Sequence, residues 1–123
     1  MAKTIMIIDD STSLRQVVEI ALKSAGYDVA QADNGKAALD KLAAGLKPSL
    51  IVCDVNMPIM DGITFVKELK SLPAHKFTPV VMLTTEAGEE KKFAGQMAGA
   101  KAWLVKPFRA ETLLKAVQKL ILP

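Results

Sequence analysis

Cysteine is nearly absent. Cys53 is the only one among 123 residues, so no disulfide closes within the chain and a reducing compartment is the expectation. Its apolar neighbours make it an ordinary buried thiol. Aromatic residues are scarce at 5% and no block of five or more like charges occurs, which argues against a nucleic-acid surface. No apolar run approaches the roughly 20 residues needed to cross a bilayer. The amino terminus Met1-Ala2-Lys3-Thr4 leads into an apolar run without a signal-peptide pattern. A cytoplasmic chain without membrane insertion is therefore expected. The 16 basic and 13 acidic residues, net +3, describe solvated faces, some of which suit a protein partner.

Half of the residues are hydrophobic and about a quarter are charged, as in globular domains. The length predicts one domain spanning residues 1–123. Short apolar runs alternate with amphipathic ones. Strands are predicted at 4–8, 27–32, 50–53, 79–83 and 102–105. Helices are predicted at 12–25, 36–44, 62–72, 86–98 and 110–122, with Gly26 and Gly45 closing the first two. The alternating run from Tyr27 suits an edge strand. Five βα units in strict alternation predict an α/β fold: a parallel sheet with helices on both faces. Such sheets open a crevice at the carboxyl ends of their strands.

Three acidic residues stand at those ends: Asp9 and Asp10 after Ile5-Met6-Ile7-Ile8, and Asp54 after Leu50-Ile51-Val52-Cys53. Burying a charge costs several kcal/mol unless it is paired or holds a metal. Adjacent strands would gather the three carboxylates, which would repel one another. A hard divalent cation, Mg²⁺ first, relieves that repulsion. Lys106, closing the run Ala102-Trp103-Leu104-Val105, offers a positive charge for an anion. Thr84 and Thr85 follow the fourth strand, and either hydroxyl suits a phosphoryl oxygen; Thr85 equally suits a helix N-cap. Asp54 is the candidate nucleophile, since a carboxylate accepts a phosphoryl group as an acyl phosphate. Taken singly, a strand-end aspartate also serves as a helix cap, and Asn56 as a loop hydrogen-bonder.

Together, Ile7-Ile8-Asp9-Asp10, Asp54 to Gly62, Leu83-Thr84-Thr85 and Val105-Lys106-Pro107-Phe108 resemble the receiver domain of two-component response regulators, of the stand-alone CheY type. The resemblance covers the whole chain. It implies the flavodoxin-like (βα)5 fold with strand order 2-1-3-4-5, and Asp54 as acceptor of a phosphoryl group from a histidine kinase. It also implies Mg²⁺ held by Asp9, Asp10, Asp54 and the Asn56 carbonyl. Lys106 and Thr84 would bind phosphoryl oxygens, and Thr84 with Trp103 would form a switch pair. The alternative for Trp103 is permanent packing against the last helix.

The implied output face is the fourth helix, fifth strand and last helix, carrying Lys91, Lys92, Lys101, Lys106, Arg109 and Lys119. Its implied partners are a flagellar motor switch protein and a phosphatase; a phosphorelay or adaptor role is the alternative. The expected chain is a monomeric phospho-acceptor and not an enzyme. A magnesium phosphatase would want an acid at position 56 and a substrate cap. A flavodoxin-like cofactor binder would want a Ser/Thr/Gly-rich loop where Asp9-Asp10 stands.

Overall fold

The computed structural model describes residues 2–85 and 99–121. In chain order the elements are β1 (Thr4–Ile8), α1 (Thr12–Ser24), β2 (Asp28–Ala32), α2 (Gly35–Ala43), β3 (Leu50–Asp54), α3 (Gly62–Lys70), a 3-10 turn (Pro73–His75), β4 (Val80–Thr84), β5 (Ala102–Val105) and α4 (Ala110–Leu120). The helix predicted at 86–98 lies outside the described residues.

All strand pairs are parallel, and the sheet runs β2-β1-β3-β4-β5, the order that the resemblance implied. The central strands β3 and β4 are buried at every position, whereas β2 and β5 at the edges are only partly so. That gradient explains why the central runs are continuously apolar and β2 alternates.

Successive strand residues point to opposite faces, and each face has its own core. On one, Met6, Ile8, Ile51, Cys53, Val80 and Met82 pack with Ala38 and Leu42 of α2 and Phe65, Val66 and Leu69 of α3. On the other, Ile5, Ile7, Leu50, Val52, Val81 and Leu83 meet Val18 and Leu22 of α1 and Leu113 and Val117 of α4. Each fully buried large aliphatic or Phe side chain contributes about 1.5–3 kcal/mol.

Side-chain caps fix where three helices start. Ser11 accepts from the Leu14 amide at 3.2 Å, Asn34 from Ala37 at 2.8 Å and Asp61 from Thr64 at 2.7 Å; each such cap is worth about 1 kcal/mol. Gly26 and Gly45, at φ 95° and 113°, follow α1 and α2 as predicted. Three boundaries differ in ways that matter. Asp54 and Thr84 are the last residues of their strands rather than the first residues of loops. α3 stops at Lys70 because Leu72, before Pro73, is extended (φ −91°, ψ 119°), the conformation that a following proline favours.

Candidate functional site

Strand alternation decides which side chains meet. Ile8 pairs with Cys53, so Asp9 and Asp54 come next on adjacent strands. They project to the side of Ile7 and Val52, and Lys106 to the side of Leu104. Asp9 is fully buried, Asp54 is 6% exposed, and Asp10 faces solvent. Carboxylate oxygens of the three lie within 4.8 Å of one another. Hard oxygen donors at that spacing fit a hard divalent cation.

Lys106 supplies the countercharge. Its Nζ stands 2.9 Å from Asp9 Oδ2 and 3.4 Å from Asp54 Oδ1, while its amide donates to the Thr84 carbonyl at 2.7 Å. The Lys106–Pro107 peptide is cis. The other oxygen of Asp9, Oδ1, accepts from the Ser11 amide at 2.9 Å. Both oxygens of the buried carboxylate are thus satisfied, one by a charge-assisted bond. Burial, reinforced by the Asp9 charge, raises the Asp54 carboxyl above its ordinary range although Lys106 pulls it back down. Burial alone would lower the Lys106 ammonium, but its contacts with Asp9 and Asp54 carry it above its ordinary value. Two carboxylates and one ammonium therefore share a small, mostly buried volume, poised to accept a cation or a phosphoryl group.

The floor of the site is tight. Val55 donates to the Leu83 carbonyl at 2.9 Å, and Gly62, the first residue of α3, donates to the Val55 carbonyl at 2.8 Å. A Cβ on Gly62 would lie 2.1 Å from the Asp54 carbonyl oxygen. Only glycine allows α3 so near the strand that presents Asp54. Cys53, next to Asp54, is buried, donates from Sγ to the Asp54 carbonyl at 3.2 Å, and has its thiol pushed well up by burial and the Asp54 and Asp9 charges.

Thr84 is fully buried and pairs with Val105, while Met82 pairs with Trp103. Thr84 and Trp103 are therefore diagonal neighbours on one face of the sheet. Trp103 is half-buried against the core beneath α2 and α3, so it does not pack against the last helix as the alternative reading had it. Asn56 lies in the loop after β3, exposed, and Thr85 is exposed. Of the basic output face, Lys91 and Lys92 lie outside the described residues, and Lys101, Arg109 and Lys119 are exposed. Lys106 does not belong to that face: its ammonium turns into the acidic cluster.

Two residues escaped the sequence reading. Gly62 was legible only as part of a motif, because a close approach between elements leaves no local pattern. Arg15 looked like one more solvated helix cation, yet its Nη1 donates to the Asp9 carbonyl.

Comparison with known proteins agrees with this geometry. Residues 5–118 match the family described as response regulator receiver domain. The chain is 36% identical to the chemotaxis protein CheY of Bacillus subtilis, covering 97% of this chain and 98% of that protein. Its structure superposes on that of the Vibrio cholerae chemotaxis protein CheY4 with a TM-score of 0.92 at 46% identity, covering 98% of this chain and 100% of the other. It also superposes on the receiver domain of the sensor histidine kinase PA1611 of Pseudomonas aeruginosa, described with a magnesium ion coordinated in the active site cleft. That match has a TM-score of 0.88 at 25% identity and covers 98% of each chain.

Proposed function

Because the chain belongs to the response regulator receiver family, we propose that it is a signalling switch, turned on when Asp54 accepts a phosphoryl group from the phosphohistidine of a histidine kinase. The observation that carries this reading is the three carboxylates within 4.8 Å of one another, with Lys106 Nζ 2.9 Å from Asp9 and 3.4 Å from Asp54. An Asp54 carboxylate oxygen attacks phosphorus and the P–N bond breaks. Imidazole leaves, and an acyl phosphate remains on Asp54.

Asp9, Asp10, Asp54 and the Asn56 carbonyl are assigned as the Mg²⁺ ligands. Bound Mg²⁺ supplies neutralisation of the charge on the phosphoryl oxygens. Lys106, once released from its carboxylate partners, binds one of those oxygens, and the Thr84 hydroxyl takes another. The diagonal placement of Thr84 and Trp103 supports their assignment as the switch pair: a hydroxyl drawn to the phosphate frees volume beside the indole. The protein assists its own phosphorylation without being a metabolic enzyme.

The named relatives include chemotaxis proteins, which favours a chemotaxis output with a flagellar motor switch protein as target. The assigned docking face is β5, α4 and residues 86–98. Among the described residues no helix is long and apolar enough to cross a membrane. We assign residues 1–123 as one receiver unit, acting as a cytoplasmic monomer.

Intact-mass measurement tests the reading. Incubation with a small acyl phosphate or phosphoramidate and Mg²⁺ should add one phosphoryl group, and Asp54→Asn should abolish it. Label persisting in Asp54→Asn would move the nucleophile elsewhere.

A further inference from the structure

The backbone carbonyl of Asp9 has an unusual partner. The Asp9 amide donates to the Ala32 carbonyl at 3.1 Å, the last bond along the β1–β2 edge. The next acceptor, the Asp9 carbonyl, lies past the end of β2 and accepts from Arg15 Nη1 of α1. Arg15 is in turn held by others. Its Nε donates to Gln31 Oε1 of β2 at 2.9 Å, and Gln31 Nε2 donates to Glu19 Oε2 of α1 at 2.8 Å. This amide orientation alone lets Gln31 serve both neighbours, because each end then meets its complement. The four groups form one directed chain: Gln31 to Glu19, Arg15 to Gln31, Arg15 to Asp9.

The peptide whose carbonyl Arg15 grips is the one joining Asp9 to Asp10. Asp9 is immobilised through its side chain by Lys106 and Ser11. Asp10 is exposed, and among the described residues no hydrogen bond of its own side chain fixes it. The plane of the Asp9–Asp10 peptide therefore fixes the backbone from which the Asp10 side chain reaches, and so narrows where its carboxylate can point.

We propose that Arg15 is a positioning residue for the metal site: by clamping the Asp9 carbonyl, with Gln31 and Glu19 holding the guanidinium, it aims Asp10 at the cation. The inference rests on the Mg²⁺ reading above. It has a signature that a counter-charge lacks. A cation close to the cluster repels Mg²⁺, so removing it for its charge alone would tighten Mg²⁺ binding. Removing a clamp weakens it, and groups behind the ligands typically alter metal affinity by about 10–100-fold.

The test is calorimetric titration of Mg²⁺ into the metal-free protein, for the parent, Arg15→Ala, Arg15→Lys and Gln31→Ala. The expected result is an affinity about tenfold weaker in Arg15→Ala. Arg15→Lys should lose nearly as much, since an ammonium keeps the charge but not the fork that reaches Asp9 and Gln31 together. Gln31→Ala should weaken binding less, and should add nothing in the Arg15→Ala background, as members of one chain do not act independently. If Arg15→Ala does not fold, Arg15→Lys and Gln31→Ala carry the comparison. A parent that binds no Mg²⁺ would overturn the metal reading itself. A parent that binds, with Arg15→Lys within twofold of it or Arg15→Ala tighter, would overturn the positioning role.

Discussion

Gly62→Ala places a methyl group against the backbone of the residue that is to be phosphorylated. The new Cβ would meet the Asp54 carbonyl oxygen at 2.1 Å and Met82 Cε at 3.0 Å. Real Cβ contacts are not found below 3.0 Å, so strand and helix must part by 0.9 Å (3.0 − 2.1). Met82 can turn its methyl aside; Asp54 cannot turn its carbonyl, because β3 is paired on both sides. The start of α3 must lift, stretching the 2.8 Å bond from Gly62 to Val55 and loosening Phe65 and Val66 from the core. Overpacking of this kind costs about 1–3 kcal/mol and the lost bond about 1, against about 1 returned by alanine's helix preference. Urea unfolding should show a net loss of about 1–3 kcal/mol. Phosphorylation should suffer more than stability does, since a displacement near 1 Å at a reacting group costs up to about 10²-fold. Followed by intact mass at a urea-free temperature where the variant is folded, labelling should slow at least about tenfold. Gly45→Ala is the control: its φ of 113° is strained for alanine but nothing lies within 4 Å of the added methyl. It should lose stability and label normally. A Gly62→Ala protein that unfolds and labels like the parent would refute the argument.

Mg²⁺ at about 100 times its Kd should stabilise the protein by about 2.7 kcal/mol, seen as a higher Tm, and a melt unmoved by Mg²⁺ would refute the metal site. Exposed Asp10→Asn should raise the metal-free Tm, whereas Asp9→Asn should lower stability by about 1–3 kcal/mol, because it removes a charge-assisted bond and leaves Lys106 with Asp54 alone. In EDTA, stability should fall as pH rises from the ordinary carboxylate value near 4 through the raised value of Asp54, because the folded state holds that proton more tightly. Urea midpoints of Asp54→Asn should lack that component. The Lys106 contribution runs in the same direction at higher pH: it is full below about pH 10.4 and is lost as pH rises through its raised folded value. Fluorescence of Trp103 should change on treatment with beryllofluoride beyond any effect of Mg²⁺, and Thr84→Ala should blunt the change. Because the ring is already half-buried, a modest shift in quencher access is expected, and identical spectra would show that Trp103 is packing alone.

The parallel sheet was legible because Ile5 to Ile8, Leu50 to Cys53 and Val80 to Leu83 are apolar without alternation, a pattern that only burial on both faces explains. The acidic cluster was legible for the same reason: Asp9 and Asp54 interrupt runs in which charge is costly. What stayed hidden depends on distances between elements. That Lys106 bridges Asp9 and Asp54 rather than facing a partner follows from the register of β5, which no local pattern of residues encodes. The clearance at Gly62 and the reach of Arg15 to Asp9 likewise belong to the packing of α3 and α1 on the sheet.

Cys53 gives the protein a clock for its own breathing. The thiol is buried in a central strand beside two carboxylates, with its ionisation suppressed, so a thiol reagent meets no thiolate while the sheet is closed. Alkylation at this single cysteine then counts openings of the strand that carries Asp54, at one atom and without any introduced label. Comparing that count with and without a phosphoryl mimic would measure how far activation stiffens the middle of the sheet.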